Sequence, residues 1–164
     1  MFEQVSAIAE PFVLVRDFQR TLMPTFAYGQ GDVVVRRIRG KKCRTYPAFM
    51  DEVGAALQFF SGFGENWSAV EDLLRIMDEW LPGSGYVLLI DDAELLFLDE
   101  EAELEVFGQV LDLVGKYWAE PVVGNGRFNR VAMPFHVVLE GDAGSLVPRL
   151  ERAGIVWEFL RRST

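Results

Sequence analysis

Apolar residues recur at helical spacing through Trp67, Val70, Leu73, Leu74 and Met77, with Trp80 as a further member, and predict a helix over 66–79 with one buried stripe. The opposite side collects Glu65, Ser68, Glu71, Asp72, Asp78 and Glu79, with Arg75 as the only cation among them. That side should carry a negative field. The same period appears over 46–58, over 101–118 through Leu104, Phe107, Leu111, Val114 and Trp118, and over 145–153, where Gly154 provides a stop. Runs at 86–91 and 135–139 are nearly all apolar, 32–37 has a β-branched centre of three valines, and all are bounded by Gly or Pro, a pattern that suits strands covered on both faces. The segment 155–159 alternates in the manner of an edge strand. Strand, helix and strand in this order predict an α/β fold: a small, mainly parallel sheet of three core strands with a fourth at its edge, joined by right-handed crossovers. The apolar segment 11–15 and a helical pattern over 2–9 have no assigned place in that sheet. The Gly-rich stretch 124–130 reads as a flexible loop.

Half of the 164 residues are hydrophobic and no linker divides them, so one domain over 1–164 is expected. A formal net charge of −9 disfavours nonspecific nucleic-acid binding and favours a basic partner. The single cysteine, Cys43, cannot form an intramolecular disulfide. No apolar run has the length of a membrane span, and the start of the chain lacks the basic residues of a secretory signal, so the expectation is a cytoplasmic protein with no membrane partner.

Two glycines flank Phe63 ahead of the acidic helix, a composition suited to a sharp entry, and either Asn66 or Ser68 is placed to cap the helix. Ser68 and Glu71 also fit the spacing of a capping box, which would assign them to folding rather than contact. Asp72 lies one turn beyond Ser68 on the same side, with its charge available for recognition.

The stretch Phe63, Gly64, Asn66, Trp67, Ala69, Val70, Asp72 and Leu74 resembles the signature of the barstar family of intracellular ribonuclease inhibitors. Segments 33–40 and 49–57 are similar to the family's first strand and first helix, and 86–91 and 134–139 to its later strands, giving a family core of about 32–140. The resemblance implies a barstar-like fold and a protein that blocks the active site of a basic nuclease with this helix and the preceding loop. A carboxylate occupies a phosphate position in that mechanism, which the physics allows, because it accepts the same charge-assisted hydrogen bonds. Asp72 matches that acid. Ser68, Glu71, Gly62, Phe63, Glu65, Asn66 and Arg75 complete the implied partner-binding set, with Asp112 as the candidate for a further acid on a later helix. Four positions depart from the family: Ser68 stands where many members have a second acid, and Gly62 where the best-known member has a tyrosine. Glu71 replaces an aromatic residue and Phe60 a proline. A changed partner is implied, and a monomer when no partner is bound.

Other chemistry is poorly supported. His136, the only histidine, sits in an apolar strand with no serine or cysteine partner at a recognisable spacing, so no catalytic residue is expected. The acidic runs 91–94 and 99–101 follow no metal-ligand pattern, and Gly83-Ser84-Gly85 precedes a strand instead of opening a helix. No metal or cofactor is expected. The rival reading is an RNA-binding or RNA-processing accessory that uses the basic run Arg36, Arg37, Arg39, Lys41, Lys42 and Arg44. The same residues would also guard the edge of a sheet, and on that reading no direct nucleic-acid binding follows. A barstar-like interaction module with a partner other than a nuclease is the remaining alternative.

Overall fold

Residues 3–17, 32–124 and 129–161 are described by the computed structural model. Strands β1 (Val13–Asp17), β2 (Val33–Arg39), β3 (Gly85–Asp91), β4 (Phe135–Gly141) and β5 (Trp157–Phe159) form one parallel sheet in the order β2-β3-β4-β1-β5. Helices α1 (Tyr46–Leu57), α2 (Trp67–Arg75), α3 (Ala102–Ala119) and α4 (Ala143–Arg152) connect them. The three expected core strands are the neighbours β2, β3 and β4. β3 is buried except at Asp91, and β4 is buried throughout, which is why their sequences read as continuous apolar runs.

Three expectations change. The unplaced segment 11–15 contributes an interior strand, β1, which separates β4 from the edge strand β5, so the sheet has five strands. Of the helical pattern over 2–9, residue 2 lies outside the described residues, and the rest holds a short 3-10 turn, Glu3–Ser6. The acidic helix ends at Arg75, and Met77–Glu79 forms a separate 3-10 turn. This break lets Met77 bury itself completely while the Trp80 indole N–H reaches the Leu57 carbonyl at 2.9 Å. Of the loop expected at 124–130, residues 125–128 lie outside the described residues. At its base Val122 and Arg130 form an antiparallel bridge.

Strand alternation sorts the core. Val13, Val15, Ile38, Leu88, Ile90, Val137 and Leu139 face the helices and form one cluster with Phe49, Val70, Phe107 and Leu150 among others. Leu14, Val87, Leu89 and Val138 lie on the opposite face with Val5. Polar groups inside this frame are matched. Arg149 is buried, and its guanidinium donates to the carbonyls of Glu94 and Leu96, both at 2.7 Å, and to the Glu101 carboxylate at 2.8 Å. Arg130 donates to the carbonyls of Tyr117 at 2.9 Å and Trp118 at 3.3 Å and stacks over the Trp118 ring, closing the end of α3. Cys43 is fully buried, and burial pushes its thiol up to about 12.

Two glycines on one face of α3 let the flanking segments reach the helix. A β-carbon on Gly115 would lie 2.7 Å from Phe12 Cδ1 and closer to two other ring atoms; one on Gly108 would lie 2.9 Å from Ile155 Cδ1 and closer to Cγ1. Phe12 and Ile155 lead into β1 and β5, so these contacts set the distance between α3 and that side of the sheet.

Gly115→Ala should therefore destabilise the protein by about 1–3 kcal/mol through overpacking, measured by urea denaturation. In a Phe12→Ala background the same substitution should gain about 1 kcal/mol, because only the helix preference of alanine remains. An equal cost in both backgrounds would contradict the packing account. His136 provides a second test. It is buried in β4 with Nε2 donating to the Ala7 carbonyl at 2.8 Å, while Nδ1 has no partner among the described residues. Burial lowers its pKa from the ordinary 6.5. The unfolded chain therefore takes up a proton first as pH falls, and stability present above about pH 6.5 should decline below it. In His136→Leu the dependence between pH 7 and 5 should flatten.

Candidate functional site

The loop between α1 and α2 is held along its length. Gln58 closes α1 in the left-handed region, at φ 57°, with its N–H on the Ala55 and Gly54 carbonyls. Phe59 and Phe63 pack edge to face at 5.1 Å, and Phe59 also meets Trp80. A β-carbon on Gly54 would lie 2.9 Å from the Phe63 ring, so this helix glycine makes room for the loop. Between them the Phe60 carbonyl accepts from Gly62 N at 2.8 Å and Phe63 N at 3.2 Å, and the Phe60 ring points outward, 64% exposed.

The entry to α2 differs from the expectation that the glycines would supply the unusual backbone. The residue at positive φ is Glu65, at 45°, and its carbonyl accepts from the Tyr46 hydroxyl at 3.0 Å. Asn66 caps the helix in both directions: Oδ1 accepts from Ala69 N at 2.9 Å, and Nδ2 donates to the Gly64 carbonyl at 2.8 Å. A β-carbon on Gly64 would lie 2.7 Å from that Nδ2. Gly64 therefore leaves room for the capping side chain of Asn66. The proposed box of Ser68 and Glu71 is not formed, since the cap lies two residues earlier than Ser68 and leaves it exposed on the first turn.

On α2, Val70, Leu73 and Leu74 are buried. Trp67 is half-buried, its ring 5.3 Å from Phe49, 5.8 Å from Phe97 and 6.3 Å from Phe107, and its indole N–H donates to Glu103 Oε2 at 2.7 Å. Glu71 pairs with Arg75 at 2.5 Å, and the Arg75 guanidinium lies 5.4 Å from the Tyr117 ring centre. Asp72 is exposed, with no hydrogen-bond or ion-pair partner among the described residues. Gly62, Phe63, Glu65, Asn66, Ser68, Glu71, Asp72 and Arg75 thus belong to one continuous loop and helix. Asp112 does not join them. It pairs with Lys116 at 2.7 Å on the far side of α3, in a groove of about 350 Å³ lined also by Pro11 and Ile155. The acid that α3 brings to this loop and helix is Glu103. Sequence spacing could have offered it, because it lies one and two turns before Phe107 and Val110 on the packed stripe, but nothing in the sequence identifies Trp67 as its partner.

The basic run is largely neutralised inside the fold. Arg39 grips both oxygens of Glu52 at 2.7 and 2.8 Å, and Arg44 those of Asp99 at 2.8 and 2.6 Å. Arg37 pairs with Asp91, and Lys41 lies 3.9 Å from Asp92. The Glu52 contacts raise the pKa of Arg39, while Arg44 holds the Asp99 carboxyl below its ordinary range. Arg36, Arg37 and Arg39 line the edge strand β2, where charge discourages pairing with another chain. Among the described residues no three His, Cys, Asp or Glu side chains converge as metal ligands, and no helix is long and apolar enough to cross a membrane.

No curated protein matches the chain. Among solved structures, the crystal structure of Cdc6p from Pyrobaculum aerophilum is similar at a TM-score of 0.42 and 19% identity, over 79% of this chain and 31% of that one. The chain thus spans about a third of that structure's length. The model of the family described as Barstar (barnase inhibitor) matches residues 33–140. That segment runs from the first residue of β2 through α1, the capped loop, α2 and α3 to the penultimate residue of β4. It contains the whole of the loop and helix described above, and the chain belongs to the barstar family.

Proposed function

We propose that this protein is a ribonuclease inhibitor, acting as the immunity or antitoxin partner of a basic intracellular nuclease. The loop 59–66 and α2 cover the nuclease active site, and the Asp72 carboxylate takes the place of a substrate phosphate. The observation that carries this reading is the state of Asp72: an exposed carboxylate with no partner among the described residues, on a helix whose neighbouring acid, Glu71, is already paired. A nuclease cleft holds cations in readiness for phosphate oxygens, and an unpaired carboxylate on a fixed helix meets them without first breaking a contact of its own. The net charge of −9 supports fast encounter with a basic target.

On this reading the protein is a binder and not an enzyme, with the whole chain acting as one unit in the cytoplasm and as a monomer until it meets its target. Gly62 and Ser68 lack the aromatic and acidic contacts associated with these positions in the family, which favours a target other than the best-known one. Asp112 lies on the far side of α3, paired with Lys116, and Glu103, which α3 brings beside the helix, is held by the Trp67 indole, so Asp72 carries the mimicry without a second acid from α3. The RNA-binding alternative draws little support, because four of its six cations are committed to carboxylates within the fold.

With a target captured from the native host, Asp72→Ala should weaken the complex by about 2 kcal/mol or more in calorimetry and release nuclease activity at concentrations where the parent inhibits fully. Its melting temperature should not move. A loss of only about 0–1 kcal/mol, the range of a solvated surface acid, would contradict the plug. Added salt should slow association more than it speeds dissociation, which stopped-flow measurements resolve directly.

A further inference from the structure

We propose that the Gln4 side chain is a plug on the outer edge of β5, and that removing it opens this edge to pair with β5 of a second copy of the chain. The proposal is independent of the nuclease reading. Among the described residues β5 has a strand neighbour on one side only, β1. The Leu160 N–H donates to the Val15 carbonyl at 2.8 Å. Because successive residues of a strand direct their backbone groups to alternate sides, residues 158 and 160 serve β1 while 157, 159 and 161 face outward. The Gln4 amide occupies that outer side: Nε2 donates to the Phe159 carbonyl at 3.1 Å, and Oε1 accepts from the Arg161 N–H at 2.6 Å. A carbonyl of one residue and the N–H two residues later, both bound to one amide, is the rung that a neighbouring parallel strand would supply. The second Gln4 proton points to Glu158 Oε2 at 3.4 Å.

What lies beside this edge explains why a plug is needed. Phe159 is 46% exposed and Val156 68% exposed, and Trp157 meets the Phe159 ring edge-on at 4.9 Å. The opposite edge of the sheet is lined by three arginines, whereas this one carries large apolar side chains, the combination that invites strand addition. The occupant that fits is another β5, antiparallel about a two-fold axis at Phe159. In that register the two Phe159 rings stand side by side. Each Trp157 lies opposite the second copy's Arg161, and Glu158 faces Leu160, so no like charges are opposed. The same register uses the Phe159 carbonyl and the Arg161 N–H, the two groups that Gln4 now holds.

The test is sedimentation velocity of the full chain over a wide concentration range. The parent should stay monomeric, and Gln4→Ala should dimerise at least about tenfold more tightly with an unchanged far-UV spectrum. Adding Phe159→Pro, which removes an outward N–H and leaves the ladder to β1 intact, should return Gln4→Ala to monomer. Should Gln4→Ala fail to fold, Gln4→Glu decides, since it keeps the acceptor for Arg161 but loses the donor to Phe159; it should also self-associate. A folded Gln4 variant that remains monomeric overturns the proposal. So does a dimer indifferent to Phe159→Pro, or a parent that dimerises as readily as the variants.

Discussion

The placement of the Trp67 indole is the constraint on which the rest of the site depends. Its ring meets Phe49 from α1, Phe97 from the segment after β3 and Phe107 from α3, and its N–H ends on Glu103. Three separate parts of the chain therefore fix one side chain at the first turn of a nine-residue helix. A helix this short has little stability of its own. Its direction is set by that anchor together with the Asn66 cap and the buried Val70, Leu73 and Leu74. The exposed side inherits the same rigidity, so Asp72 is presented at a defined height and angle.

Charge in this protein divides between groups used by the fold and groups left over. Glu52, Asp91 and Asp99 are engaged by arginines, Glu101 satisfies the buried Arg149, and Glu103 accepts from Trp67. Pairing of this kind contributes little stability at the surface, but it cancels fields locally. The basic run from Arg36 to Arg44 loses most of its reach, and the helix carrying Asp72 keeps its negative character. With Glu71 paired to Arg75, Asp72 is the acid of α2 left without a partner among the described residues.

Most of the family core was legible because its physics is local. β3 and β4 are interior strands of a parallel sheet, so their apolar runs announce themselves, and the stripes of α1 and α3 follow from period alone. β1 was not legible, since a five-residue strand has no internal sign of its partners, and Val13 pairs with Val137 and Trp157. At the site, sequence spacing placed Asp72 on the exposed side of the helix, left the cap open between two residues, and did not place the acid of α3. Ser68 and Glu71 have capping-box spacing, yet Asn66 offers both an acceptor and a donor and takes the cap. Asp112 lies on α3 as expected, but period alone does not say which side of a helix meets which neighbour, and the packed stripe turns Glu103 toward α2.

The position of β1 has a consequence for how the chain is assembled. β1 lies between β4 and β5, both of which follow it by more than half the chain. A ribosome therefore releases β1 long before its two neighbours. During that interval β2, β3 and the helices between them can condense around the Trp67 cluster through comparatively near contacts, while Val13, Leu14 and Val15 wait with no strand to join. Pairings so distant in sequence form slowly and leave apolar backbone exposed in the meantime. The segment that completes the sheet is thus also the one most in need of protection before the sheet exists.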